Sequence, residues 1–139
     1  MTQVVSPVSV QSHGGGARIH LRGNELFLEE RKIVLYLTPE QRLGERVNWE
    51  NLRMRLKNIS VDKYVCDYLL DHPNLIPESF GEPIVFLETM VWAEGLRRYV
   101  KYLYRSEGGD WLTGAWPATR FLMPSEPVLV FEDAIRSMG

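Results

Sequence analysis

Apolar and polar residues alternate at the start of the first patterned stretch of the chain, residues 18–37. A Gly-Asn step at 23–24 supplies a turn signal between two short alternating runs. Residues 33–37 are then continuously apolar, which is typical of a strand that is buried on both faces. The pattern therefore predicts β-structure across 18–37.

The period of the pattern becomes helical over residues 39–72. Thr38 is a good N-cap residue and Pro39 suits the first helical position. Gln41 is placed to complete a capping box with the threonine, because its side chain lies three positions beyond the cap. These residues predict the start of a first helix.

Two more helices are predicted in the same stretch. Apolar residues at spacings of three and four predict a helix over 49–59, with Asn48 as its N-cap. We expect Ser60 to cap a third helix. That helix should end at His72, because the residue before a proline avoids the helical region.

A three-strand meander is predicted within residues 83–131. Two runs rich in β-branched and aromatic residues are joined by Glu94-Gly95, which we interpret as the two central residues of a hairpin turn. A Gly-Gly pair at 108–109 leads into a third run. This stretch holds most of the aromatic side chains of the sequence, together with Arg97, Arg98, Lys101 and Arg105.

A two-residue turn fixes a trial register for this meander. It places Glu88 opposite Lys101 and Arg105 opposite Asp110, which are favourable cross-strand pairs of opposite charge. A slip of one residue would exchange the two faces of the sheet. In this register the face predicted to enter the core carries Val85, Leu87, Val91, Val100, Tyr102, Tyr104 and Trp111.

The opposite face of the meander is the candidate binding surface. An exposed apolar patch on a sheet usually marks an interaction site. The alternative is that the helices of 39–72 or the chain after Pro117 cover this side as a second core layer. The predicted site residues are Trp92, Tyr99, Trp116, Arg97 and Lys101.

The elements together predict an α+β fold. We expect an antiparallel sheet of about five strands, from 18–37 and 83–131, packed against two or three helices from 39–72. The length of 139 residues suits one domain. Three consecutive glycines favour a disordered tail over 1–17, so the predicted single domain is 18–139.

Composition excludes several classes of protein. An apolar fraction of 45%, a charged fraction of 24% and a net charge of −2 are ordinary for a soluble domain and favour neither nucleic acid nor anionic membrane. One cysteine excludes an internal disulfide framework and a zinc site with paired cysteines. No apolar run approaches the roughly 18 residues of a membrane span, and no secretory signal pattern is present. We therefore expect a cytoplasmic protein.

No motif in the sequence is a catalytic signature. The chain lacks a phosphate-binding glycine loop, a nucleophile elbow and a His-Glu-x-x-His helix. Cys66 is expected to be an inert, buried thiol and His20 a structural residue. Asp67, Asp71 and His72 are discounted as metal ligands, because Asp71 and His72 are adjacent and point to different sides of the helix. We expect no metal site and no cofactor, and the pattern favours a protein that is not an enzyme.

Residues 64–131 resemble a group of short uncharacterised bacterial proteins. The segments that carry the resemblance are YVCDYLLDHPNLIPESFGEPIVFLETMVW, RRYVKYLYR, GGDWLTGAW and PSEPVLVF. Members of that group have more tryptophan in the third strand than Trp111 and Trp116 provide here. The resemblance implies a shared domain, and it transfers no functional residue and no activity.

Three functions remain open at this point. The first is a non-enzymatic interaction module that binds a protein partner or a second copy of this chain, since Trp and Tyr are enriched in interfaces. The second is single-stranded nucleic-acid binding, in which aromatic side chains stack on bases. The net negative charge of the chain and the lack of an RNA-recognition aromatic motif make nucleic-acid binding the less favoured function. The third is an enzyme of unrecognised type.

Overall fold

The structure of the protein is a computed structural model. The residues that it describes are 18–57, 59–61, 63–93 and 97–137, with the backbone alone at 63, 88–93 and 97. The tail predicted at 1–17 and the turn predicted at Glu94-Gly95 lie outside the described residues.

Nine strands and four α-helices form within the described residues. The strands are β1 (Ile19–Arg22), β2 (Glu25–Leu28), β3 (Arg31–Tyr36), β4 (Val47–Asn48), β5 (Ile84–Ala93), β6 (Arg97–Arg105), β7 (Trp111–Pro117), β8 (Phe121–Leu122) and β9 (Val128–Phe131). The helices are α1 (Pro39–Arg42), α2 (Trp49–Arg55), α3 (Lys63–Asp71) and α4 (Glu132–Ser137). A 3₁₀ turn, Pro73–Leu75, follows α3.

The architecture is α+β with a mostly antiparallel sheet, as the sequence predicts. The main sheet has seven strands in the order β1-β2-β3-β9-β5-β6-β7, and β4 pairs with β8 in a separate two-stranded ribbon. The prediction of about five strands is therefore too low. The C-terminal strand β9 joins the two predicted β-segments by pairing antiparallel with β3 and parallel with β5.

Each face of the main sheet is covered in part by its own helix. On one side, the α3 face, Leu69 of α3 packs with Phe86, Leu103 and Trp111 of the sheet. The other side, the α2 face, is covered by α2 and the β4–β8 ribbon. Its buried residues include Trp49, Leu52, Leu87, Val100, Leu122 and Val130. Burial of Val85, Leu87 and Val100 confirms three predicted core positions.

Two of the three predicted helix caps are present. Thr38 Oγ1 accepts a hydrogen bond from Gln41 N at 3.0 Å, and Gln41 Oε1 accepts one from Thr38 N at 2.9 Å, which completes the capping box. Asn48 Oδ1 likewise accepts from Asn51 N at 3.0 Å at the start of α2. None of the described helices is long and apolar enough to cross a membrane.

The cap predicted at Ser60 is wrong. Ser60 forms an antiparallel bridge with Val130 of β9, and α3 begins only at Lys63. Ile59 packs on the α2 face, whereas Val61 is buried on the α3 face. The chain therefore crosses from one side of the sheet to the other here, and Ile59 O and Val61 N, on either side of Ser60, make the hydrogen bonds to β9.

The register predicted between β5 and β6 is also wrong. Met90 pairs with Val100 near the hairpin end, but Phe86 pairs with Lys101, the very next residue of β6. Three residues of β5, 87–89, are therefore inserted in an irregularity without partners in the register. Glu88 is one of these inserted residues and Lys101 pairs with Phe86, so the predicted pair of Glu88 with Lys101 does not form.

The register between β6 and β7 differs from the prediction by one residue. Arg105 pairs with Trp111 rather than with Asp110. Ser106 N donates to Asp110 O at 2.8 Å, and this pair closes a three-residue loop in which Gly109 has a φ of 93°. A three-residue loop with a left-handed glycine is a common hairpin connection, and it moves Trp111 from the predicted face to the α3 face.

Candidate binding surface

The one-residue difference separates two members of the predicted site. Tyr99 pairs with Pro117, and Trp116 pairs with Val100. Because facing residues share a side of the sheet and neighbours along a strand alternate, Tyr99 and Trp116 lie on opposite faces. The shared face predicted for them is therefore wrong.

Lys101 and Tyr99 belong to the α3 face. The Nζ atom of Lys101 lies 3.0 Å from Oδ1 of Asp67 in α3, and this ion pair ties the helix to β6. Tyr99 is half-buried at the alternating position two residues earlier. Neither side chain lies with Trp116.

Trp92 and Arg97 are described by their backbone alone. In the register Trp92 pairs with Arg98, and Arg97 pairs with Ala93 at the end of the hairpin. The side-chain positions predicted for Trp92 and Arg97 lie outside the described part of the structure. Their role in binding remains a prediction.

A different aromatic group forms on the α2 face. The rings of Tyr102 and Trp116 stack with centroids 3.9 Å apart and an interplanar angle of 19°. The ring of Tyr104 lies 5.7 Å from that of Tyr102, tilted by 40°. Arg120 Cζ lies 3.9 Å from the Trp116 ring centroid. We call Tyr102, Tyr104, Trp116 and Arg120 the aromatic face, and all four are partly exposed.

Gly114 makes this arrangement possible. It lies directly opposite Tyr102 in the β6–β7 ladder. A Cβ atom at Gly114 would lie 2.5 Å from Tyr102 Oη and 2.6 Å from its Cζ. Since real side chains do not approach this closely, the tyrosine ring can lie across β7 toward Trp116 only because position 114 has no side chain.

The cation of the aromatic face is already paired. Arg120 Nη1 and Nη2 donate to the two carboxylate oxygens of Glu126 at 2.8 and 2.9 Å. Glu126 is buried, and its Oε1 also accepts from Met123 N at 2.8 Å. The hydrogen bonds to Glu126 raise the pKa of Arg120, with a smaller contribution from the charge of that carboxylate. Two parallel bonds of this kind fix the plane of the guanidinium against Trp116.

The loop that carries Arg120 is held from the first helix. Gln41 Nε2 donates to the carbonyl oxygens of Met123 and Glu126, both at 2.9 Å. The same side chain accepts from Thr38 N in the capping box. A single buried amide thus links the start of α1 to the segment between β8 and β9.

Chemically reactive side chains do not converge on the aromatic face. Burial raises the pKa of the Cys66 thiol to about 12, so the thiol stays protonated near neutral pH. His20 stacks on Phe27 in the N-terminal hairpin, and its pKa is lowered by burial and by the nearby Arg22. No group of three or more His, Cys, Asp or Glu residues within the described part of the chain is arranged to hold a metal ion.

The sequence predicts Trp116 as a site residue but none of its neighbours in the aromatic face. It places Tyr102 and Tyr104 on the core face and gives Arg120 and Glu126 no role. The sequence signal for Tyr102 is the loop at 107–109. A three-residue connection that ends in a left-handed glycine sets the observed register between β6 and β7, which places Tyr102 and Trp116 on one face. The pairing of Arg120 with Glu126 has no such signal, since it depends on the path of the loop.

Comparison with known proteins does not extend this description. No family model matches the chain, and no curated protein or solved structure matches it. The resemblance of residues 64–131 to a group of short bacterial proteins therefore stays a prediction.

Proposed function

We propose that the protein is a non-enzymatic interaction module that binds a protein partner through its aromatic face. The observation that carries the proposal is a set of stacked, partly exposed rings whose neighbouring cation is already paired with a buried carboxylate. Such a surface offers apolar area and a tyrosine hydroxyl. Tyr and Trp are the side chains that contribute most often to the central contacts of protein interfaces.

The paired arginine favours a protein over single-stranded nucleic acid. A nucleic-acid groove needs Arg or Lys side chains free to meet phosphates beside the stacking rings. Arg120 is committed to Glu126 by two hydrogen bonds, and the net charge of the chain is −2. The aromatic face would therefore attract phosphates weakly, whereas aliphatic or aromatic side chains of a partner can pack on its rings.

Tyr104 is the side chain on which to test the proposal, because it lies next to Tyr102 without taking part in the stack with Trp116. A displayed random peptide library is selected on the folded protein, and the affinities of the enriched peptides are measured. We expect Tyr104→Ala to weaken their binding by about tenfold or more, as for a central interface tyrosine. Tyr64→Ala is the matched control, since Tyr64 is half-buried on the α3 face and should leave binding unchanged.

Labelled single-stranded DNA provides the competing arm of the experiment. Under the proposal, the protein shows no binding that weakens steeply with salt. Salt-dependent binding that is lost in Tyr104→Ala would assign the aromatic face to nucleic acid instead. Peptides that bind equally well to Tyr104→Ala would show that the partner uses another surface.

A cytoplasmic location and the absence of enzymatic activity are parts of this proposal.

A further inference from the structure

Strand β7 is one of the two outer strands of the seven-stranded sheet. At the ends of its ladder with β6, Ala118 N donates to Arg98 O and Ser106 N donates to Asp110 O. Hydrogen-bonded and non-bonded pairs alternate in an antiparallel ladder, so the even-numbered residues of β7 face β6. The odd-numbered residues Trp111, Thr113 and Ala115 direct their N–H and C=O groups away from the sheet.

These outward groups have no partner in the part of the chain that the structure describes. The hydrogen bonds of β7 go to β6, and none is made by the main-chain atoms of Trp111, Thr113 or Ala115 on the open side. The seven residues of β7 also contain no charged side chain. Open edge strands are usually protected by charges or bulges, so an uncharged one is suited to pair with another strand.

We propose that β7 pairs antiparallel with β7 of a second copy of this chain, with Thr113 on the two-fold axis. Thr113 then faces Thr113 of the second copy, and Trp111 faces Ala115 in both directions. Each of these three pairs exchanges two main-chain hydrogen bonds. The interface is isologous, as in most soluble homodimers.

The side chains of β7 are self-complementary in this register. Trp111 meets the small Ala115, and Leu112, which is 41% exposed, meets Gly114 of the second copy. Because the Tyr102 ring lies over Gly114, the leucine of one copy packs on the tyrosine of the other. Two threonines that face each other are a favourable cross-strand pair.

The ends of β7 select this register over its neighbours. Pro117 also faces outward but has no N–H group, and its carbonyl already accepts from Arg120 N at 2.9 Å. Gly109, at the other end, has a φ of 93° and cannot continue the strand. Centring the pair on Leu112 would set Ala115 against Gly109. Centring it on Gly114 would set Trp111 against Pro117. With Thr113 at the centre, the three open residues pair only with one another.

The proposed dimer does not depend on the proposed function, because it uses the edge of the sheet rather than its face. A two-fold axis perpendicular to the sheet keeps the two α2 faces on the same side, so the aromatic faces would lie beside each other. One strand per copy buries less area than a standard interface. We therefore expect a dimer that dissociates on dilution.

Sedimentation equilibrium across a wide range of protein concentration tests the proposal. The wild-type chain should change from monomer to dimer as concentration rises. Thr113→Lys and Thr113→Asp each place like charges opposite each other and should weaken dimerisation by about tenfold or more. An equimolar mixture of the two variants should recover a heterodimer, which a mere folding defect could not produce. Ser79→Lys, at an exposed site outside β7, should dimerise like the wild type.

A backbone variant provides a second, independent test. Ala115→Pro removes an outward N–H group and leaves the bonds to β6 intact, so the fold should survive and the dimer should be lost. A wild-type chain that is monomeric at all concentrations would overturn the proposal. So would a dimer that persists undiminished in Thr113→Lys, or in Ala115→Pro with a native circular dichroism spectrum.

Discussion

At the scale of single residues, the aromatic face depends on what is absent at position 114. Glycine inside a strand is normally unfavourable, because it loses more backbone freedom on folding than other residues. Here it gives the Tyr102 ring room to lie across β7 and stack on Trp116. The glycine and the aromatic pair therefore depend on each other. Changing either one should alter how much the other contributes to the free energy of unfolding.

Gly114→Ala tests this coupling. The added methyl group would displace the Tyr102 ring, and we expect a loss of about 1–3 kcal/mol in the free energy of unfolding, as for overpacking. In a Tyr102→Leu background the methyl group meets no ring, and the same change should be neutral or stabilising by up to about 1 kcal/mol. Urea denaturation of the four proteins gives the coupling energy. If Gly114→Ala changed the free energy of unfolding equally in both backgrounds, the glycine and the Tyr102 ring would not be coupled.

At the scale of elements, local signals in the sequence predict much of the fold but not its register. The capping box of Thr38 and Gln41, the Asn48 cap and the order of β5, β6 and β7 follow from residues that are neighbours in the chain. The inserted residues 87–89 have no such signal, because no glycine or proline interrupts the run from Ile84 to Ala93. A register error changes which side chains share a face, so the sequence predicts the candidate site only in part.

Gln41 shows how one element fixes another. Gln41→Ala removes one half of the capping box and the amide donor to two carbonyls. The carbonyl of Glu126 loses this donor, whereas Met123 O still accepts from Glu126 N at 3.0 Å. We expect the free energy of unfolding to fall by about 1–3 kcal/mol, as for buried groups left unsatisfied. Arg42→Ala, at an exposed position of the same helix, is the control for helix propensity. Equal urea midpoints for the two variants would show that the amide does not hold the loop.

At the scale of the whole molecule, the position of β9 decides the architecture. This strand lies between β3 and β5. It pairs with β5 at Val128 alone, and residues 59–61 pair with its following residues, 129–131. Its pairing brings residues about a hundred positions apart into contact, as in the register of Ile33 with Phe131. The periodicity of apolar residues reports only local geometry. The sequence therefore predicts which segments form strands, but not the order of the seven strands in the sheet. Because β9 joins the N-terminal strands to β5, β6 and β7, the α2 face and the α3 face are the two sides of a single sheet.

Because the two cores flank the same sheet, we expect them to unfold together, in agreement with the single domain predicted over 18–139. Leu69 on the α3 face and Leu87 on the α2 face are both completely buried. Truncating either one to alanine should lower the free energy of unfolding by about 2–5 kcal/mol. Each variant should shift one common transition, followed by circular dichroism and by tryptophan fluorescence. Chains in which only Trp49 or only Trp111 is kept, with the other three tryptophans changed to phenylalanine, report on the two faces separately. Leu43→Ala, at an 80% exposed position, should change stability by no more than about 0.5 kcal/mol. Separate transitions for the two tryptophans would mean that the faces fold as independent units.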